Sequence, residues 1–302
     1  MYGRKKKARR AAVQKAAPEG YAVKRLCQIA NLPRSSFYYH KQPKVKEAAE
    51  LILRQRLQES QTMLDYTYGA KRMSHHLKRT YGETYNHKRV ARAMSQWGLQ
   101  AKIRRKRFPD SYYRTTKAKR ENLPENLLNR DFSAIEPNKK LLTDTTCFRV
   151  KGGWLHLSTI CDVFNNEIVS RRFSTRLDIP LALATLEALP MDKRLKGAIF
   201  HSDRGFAYTN PKFFKALTDM VFVQSLSRKQ NPWDNAKMEC FYGHLKSETI
   251  HRHGFLVFPE ARVLQSKLER YIDFYNNERI QKGLGYRSPQ EYRLSVTQPC
   301  VQ

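Results

Sequence analysis

No apolar run in the 302-residue sequence approaches the ~20 residues needed to span a bilayer. The opening stretch, MYGRKKKARR, has no apolar segment behind its charges and does not read as a secretory signal. Cysteine is scarce too. Cys27, Cys147, Cys161, Cys240 and Cys300 are odd in number, and no two stand at a Cys-x-x-Cys spacing. That argues against a disulfide framework and a zinc site and fits a reducing cytoplasm. Acid is the third shortage: 27 Asp and Glu face 57 Lys and Arg, a formal net charge of +30. Charge of this size repels itself in a compact chain, so it implies a polyanionic partner. The 40% hydrophobic fraction is enough to bury a core.

The charge is uneven. Residues 1–140 hold 34 basic and 11 acidic side chains, and residues 141–302 hold 23 and 16. Nucleic acid is the natural partner of the first half, since neutralising phosphates releases counterions. Residues 1–20 form a basic, Ala-rich arm expected to lack fixed structure until it meets phosphate. In residues 21–44, Leu26, Ile29 and Ala30 make a short helical face, Asn31-Leu32-Pro33 breaks it, and Arg34 opens a second helix carrying Phe37 and Tyr38. That is the outline of a helix-turn-helix, although any helical hairpin reads alike. Residues 45–105 form a second helical domain. Ala48, Leu51, Ile52 and Leu57 suggest one amphipathic helix, a second runs from about Ala70 to Arg79, and Asn86 caps a third that Gly98 closes. The third buries Val90, Met94 and Trp97 and offers Lys88, Arg89 and Arg92 as DNA contacts; a solvated face on a packing helix would look the same. Residues 106–137 lose periodicity, gain prolines and read as a basic linker.

From Leu141 the pattern becomes α/β. LLTDTTCFRV, WLHLSTICDVF and EIVSRRFST read as three antiparallel strands, followed by helix, strand, helix and strand. This is the order of a ribonuclease-H-like fold: a mixed five-stranded sheet with flanking helices. Three acids stand out by position. Asp144 lies inside the first strand, Asp203 just after the short apolar strand Ala198–His201, and Glu239 on the helix after Pro232. Phosphodiester chemistry with two hard cations about 4 Å apart needs such carboxylates. Asn235, Tyr242 and Lys246 share a helical face with Glu239, and Glu248 falls on the opposite one. Asp162 is a rival first acid: a turn at Gly152-Gly153 would pair residue 144 with about 160 and put Asp162 on the face of Asp144. His201 reads as a packed or hydrogen-bonded core histidine.

TDTTCF, HSDRGFAY and DNAKMECFYGHLKSE resemble the catalytic motifs of bacterial insertion-sequence transposases, of the second-reading-frame type with a retroviral-integrase-like core. Thirty-five residues separate Asp203 from Glu239 and Lys246 lies seven further on, as in that family. Tyr271–Tyr292 is similar to its C-terminal signature. Departures are Leu141-Leu142 where Trp is common, Phe206-Ala207 for Ser-Gln, and Gln281 for His. The resemblance implies a catalytic core over residues 138–295, including C-terminal helices, with Asp144, Asp203 and Glu239 as catalytic residues holding two Mg²⁺ ions and Mn²⁺ as a substitute. It implies Mg-dependent cleavage and strand transfer at the ends of an insertion sequence, with Lys246, Asn235, Arg204 and Arg34 added to the DNA contacts. Double-stranded DNA, a homo-oligomer on paired ends and an upstream helix-turn-helix protein joined by frameshifting are the implied partners, and no membrane is. The rival readings are a structure-specific nuclease of the same fold and a DNA-binding regulator with an inert core.

Overall fold

The computed structural model describes residues 2–39, 43–101, 123–190, 195–229, 231–250 and 257–297. They fall into two compact units, Met1–Ala101 and Lys102–Gln302. No helix among the described residues is long and apolar enough to cross a membrane.

The first unit is helical: α1 (Tyr2–Ala16), α2 (Val23–Ile29), α3 (Arg34–Tyr39), α4 (Pro43–Met63), α5 (Ala70–Tyr81) and α6 (His87–Gln96). The expected structureless arm is therefore corrected, since residues 2–16 are helix and 17–19 a 3-10 turn. Ala, Lys and Arg are strong helix formers, and Val13 supplies a tertiary anchor by packing with Cys27, Leu32 and Phe37. Between α2 and α3 the chain reverses at Asn31, whose φ of 46° suits a side chain that tolerates the left-handed region. The buried face of α2 is rotated from expectation. Cys27 is buried, Leu26 and Ala30 are half-buried, and Ile29 is exposed.

The phase of α4 also differs. Leu53, Leu57 and Leu64 recur at helical spacing and are buried, whereas Leu51 and Ile52 point outward. Gln61 is buried, and its amide nitrogen donates to the carbonyls of Tyr68 (3.1 Å) and Leu99 (2.7 Å), tying both ends of this helical group to α4. Met73 and Leu77 of α5 and Val90, Ala93 and Met94 of α6 are buried. Asn86 caps α6 as expected, its side chain accepting from the Lys88 amide at 2.9 Å. Trp97 is half-buried rather than buried.

The second unit contains β1 (Lys140–Val150), β2 (Gly153–Asp162), β3 (Ile168–Ser174), α7 (Ile179–Glu187), β4 (Ile199–Ser202), α8 (Pro211–Asp219), β5 (Val223–Leu226), α9 (Ala236–Thr249), α10 (Ala261–Asn277) and α11 (Pro289–Thr297). The sheet order is β3-β2-β1-β4-β5, antiparallel for the first three strands and parallel from β1 to β4 to β5. This is the expected ribonuclease-H-like sheet. Alternation along β1 divides the core. Leu141 faces α7 and α8 with Ala182, Leu186, Phe200 and Phe213, while Leu142 and Phe148 face α9 and α10 with Met238, Leu245, Leu268 and Ile272.

Two expectations fail here. Residues 123–137 are not linker: Leu128 is buried in the α9–α10 core, and Asn126 and Arg130 bond to Asp234. Residues 106–122 of the expected linker lie outside the described residues. The β1–β2 register pairs Asp144 with Thr159 and Leu141 with Asp162. That single-residue slip from the expected pairing moves Asp162 to the face opposite Asp144. Its buried carboxylate accepts the Asn138 and Phe164 amides and a 2.8 Å bond from Arg293 of α11, which makes it a structural anchor.

Candidate active site

β1 and β4 run parallel with Leu142 opposite His201, so continuing the register by two residues sets Asp203 beside Asp144. Both lie on the sheet face that α9 covers, where Glu239 occupies the first helical turn. The three carboxylates are near enough to act on one another. Burial holds the Asp144 carboxyl well above the usual range, and the charges of Asp203 and Glu239 push it further. The Thr145 amide and the Lys246 ammonium oppose that rise. Asp203 and Glu239 are raised as well, mainly by burial. Among the described residues, no three His, Cys, Asp or Glu side chains form a ready-made metal cage. The donor chemistry nonetheless fits hard divalent cations: three carboxylates, none in an ion pair among the described residues, and each shifted in the direction that added positive charge would relieve.

Helix α9 is fastened to the strand at the first acid. The Asn235 amide donates to the Thr143 carbonyl at 3.3 Å, and the Tyr242 hydroxyl donates to the Asp144 carbonyl at 2.6 Å. Glu239 lies between these two ties on the chain, so its backbone is located relative to Asp144 itself. Asn235, expected as a DNA contact, uses its amide nitrogen inside the protein. It is buried where the helix begins.

The turn after Asp203 is equally constrained. The Gly205 amide donates to Asp203 Oδ1 at 2.8 Å, and a Cβ on Gly205 would lie 2.8 Å from that same oxygen, so only glycine lets the chain pass this close. Arg204 is exposed, with its Nε donating to the Ser227 carbonyl at 2.7 Å. Lys246 lies half-buried with its ammonium 5.4 Å from the centre of the Phe148 ring. His201 is fully buried between the hydroxyls of Ser225 and Ser227, and burial lowers its pKa to about 4. Lys88, Arg89 and Arg92 of α6 and Arg34 of α3 are exposed.

Several residues that matter were not singled out from the sequence or, like Glu248, were noted only for their helix face. Asp234 is fully buried and accepts from Arg228, Arg130 and Asn126, with the arginines holding its pKa far below the carboxylate range. Tyr208 is buried and shares a 2.9 Å hydrogen bond with Thr145. Glu248 is clamped by Arg279 (2.7 and 2.9 Å) and Tyr271 (2.8 Å). The only advance signal was that Asp234 adjoins Asn235 in the DNAKME motif.

Residues 134–232 and 239–296 match the integrase core domain family in two segments, and residues 46–107 match the HTH-like domain. The putative transposase InsK for insertion sequence element IS150 of Escherichia coli (strain K12) is 35% identical over 282 residues, covering 93% of this chain and 96% of the relative. The transposase for insertion sequence element IS904 of Lactococcus lactis subsp. lactis is 33% identical over 84% of this chain and 98% of its own length. Among solved structures, the HTLV-2 integrase catalytic core domain in complex with magnesium overlays with a TM-score of 0.40 at 14% identity, covering 53% of this chain and 98% of that one. Matched nearly end to end by relatives of one kind and carrying an integrase core behind a helix-turn-helix-like region, the chain belongs to the insertion-sequence transposases, DDE-type polynucleotidyl transferases that move DNA by transposition and integration.

Proposed function

We propose that Asp144, Asp203 and Glu239 are the groups at which this transposase cuts the end of its element and joins it to a new site, holding two magnesium ions or, in substitution, manganese. The observation that carries the reading is the charge imbalance of the site: Asp144 is half-buried, with a raised pKa, beside two further acids. Ions held there would activate an oxygen nucleophile and stabilise charge on the leaving oxygen. The protein's part is positioning. Asp144 stands on β1 and Asp203 just past the end of the adjacent parallel strand β4, and Asn235 and Tyr242 fix the helix that presents Glu239. Lys246 and Arg204 flank the acids in sequence and supply positive charge for the DNA backbone. Lys88, Arg89, Arg92 and Arg34, exposed in the helical unit, recognise the terminal repeats.

The active form is an oligomer on paired ends, with an upstream helix-turn-helix protein as a frameshift fusion partner, and it works in the cytoplasm on the nucleoid. The test is incubation of labelled DNA carrying the element's own ends with Mg²⁺ or Mn²⁺, using wild type, Asp203→Asn and Glu239→Gln. Joined products from wild type alone support the assignment. Nicking without joining turns the reading into a nuclease, and joining by both variants removes these acids from the site.

A further inference from the structure

Trp233 is 69% exposed, an unusual state for so large an apolar side chain. A single exposed aromatic needs no explanation by itself. What distinguishes Trp233 is the rigidity of its mounting. It sits in the 3-10 turn Pro232–Asn235 that leads into α9. The residue after it, Asp234, is fully buried and accepts from the Arg228 backbone amide (2.9 Å), Arg228 Nε (2.9 Å) and Nη2 (2.7 Å), Arg130 Nε (3.1 Å) and Asn126 Nδ2 (2.9 Å). The next, Asn235, is tied to the Thr143 carbonyl. With the chain fixed on that side, the indole is presented on a preorganised turn.

The same buried carboxylate sets the charge around it. Arg228 and Arg130, both held by Asp234, keep 47% and 49% of their side chains exposed. One anchor therefore presents two guanidiniums together with the backbone that carries an exposed indole, six residues before Glu239. A π-face for a base with guanidiniums for its phosphates is the chemistry of a single-stranded nucleotide; paired and stacked bases offer no free face.

We propose that Trp233 stacks on an unpaired base at the DNA end being processed, with Arg228 and Arg130 taking the adjoining phosphates. This rests on the strand-transfer reading above, because it requires the substrate strand to pass the turn that introduces Glu239. Holding a base out of the duplex would open the end and give the carboxylates access to the scissile bond.

The test measures binding of the full chain, by fluorescence anisotropy without divalent metal, to two labelled duplexes of the element's end, one fully paired and one with mismatched terminal bases. Wild type should prefer the mismatched end. Trp233→Ala should weaken that binding by roughly 5- to 150-fold, the range for one lost base stack, and the paired duplex far less. Trp233→Phe, which keeps a π-face, should retain the preference. Equal weakening on both duplexes, or no change on either, overturns the proposal. If the preference and its loss appear but wild type joins no DNA with Mg²⁺, the stacking site stands and the strand-transfer reading falls.

Discussion

The core domain holds two kinds of buried or half-buried acid, and their neighbours separate them. Asp162, Asp234 and Glu248 each accept from arginine: Arg293, Arg228 with Arg130, and Arg279. The arginines keep Asp234 and Glu248 below their ordinary pKa values. Asp144 and Asp203 have no such partner among the described residues and are raised instead. Burial opposes the charged form in both groups, so the sign of the shift is decided by whether the fold supplies a cation. Where it does, the carboxylate holds the structure together. Where it does not, the carboxylate destabilises the metal-free fold and remains available to something else.

The largest effect expected from this contrast is on chemistry. Asp203→Asn or Glu239→Gln should lower strand transfer by about a thousandfold or more, because metal-centred charge stabilisation is worth several kcal/mol at the transition state. The melting temperature in EDTA should hold or rise, since repulsion is relieved. A clear fall in melting temperature would put these acids with the structural set. The converse substitution, Glu248→Ala, leaves Arg279 buried without its carboxylate and should destabilise the core by about 3–5 kcal/mol in urea denaturation.

His201 extends the comparison to a base. Its folded pKa is depressed to about 4 from an ordinary 6.5. The unfolded chain therefore binds the proton first, and stability is lost as pH falls from about 7 to about 4, by about 3 kcal/mol in all. Urea midpoints across that range should show a weaker dependence in His201→Gln. The smallest effect is expected from Tyr242→Phe. Losing the hydroxyl from the Asp144 carbonyl should cost about 1 kcal/mol of stability and slow strand transfer, measured by denaturation and single-turnover joining.

Much of this was legible in the sequence because it is local. β-branched runs and turn residues located the strands, and the order of elements led to the sheet. The three acids stood out against apolar or motif surroundings. What stayed hidden depends on partners far along the chain. Asp162 looked like a candidate because a hairpin register cannot be set to one residue from its turn alone, and only Arg293, 131 residues on, reveals its role. Asn235 shared a helical face with Glu239 on paper, yet the strand it faces turns its amide inward. The helix over residues 2–16 was missed because basic composition was read as disorder, although Val13 sits where α2 and α3 need a third helix.

The ties from Asn235 to Thr143 and from Tyr242 to Asp144 span 92 and 98 residues. Synthesis at ~5–20 residues per second therefore separates the first acid from the helix that completes its setting by roughly 5 to 20 s. Throughout that interval the emerging chain already has its basic helical unit, while Asp144 on β1 still lacks Glu239. A growing copy therefore carries most of its positive charge before its three carboxylates can meet.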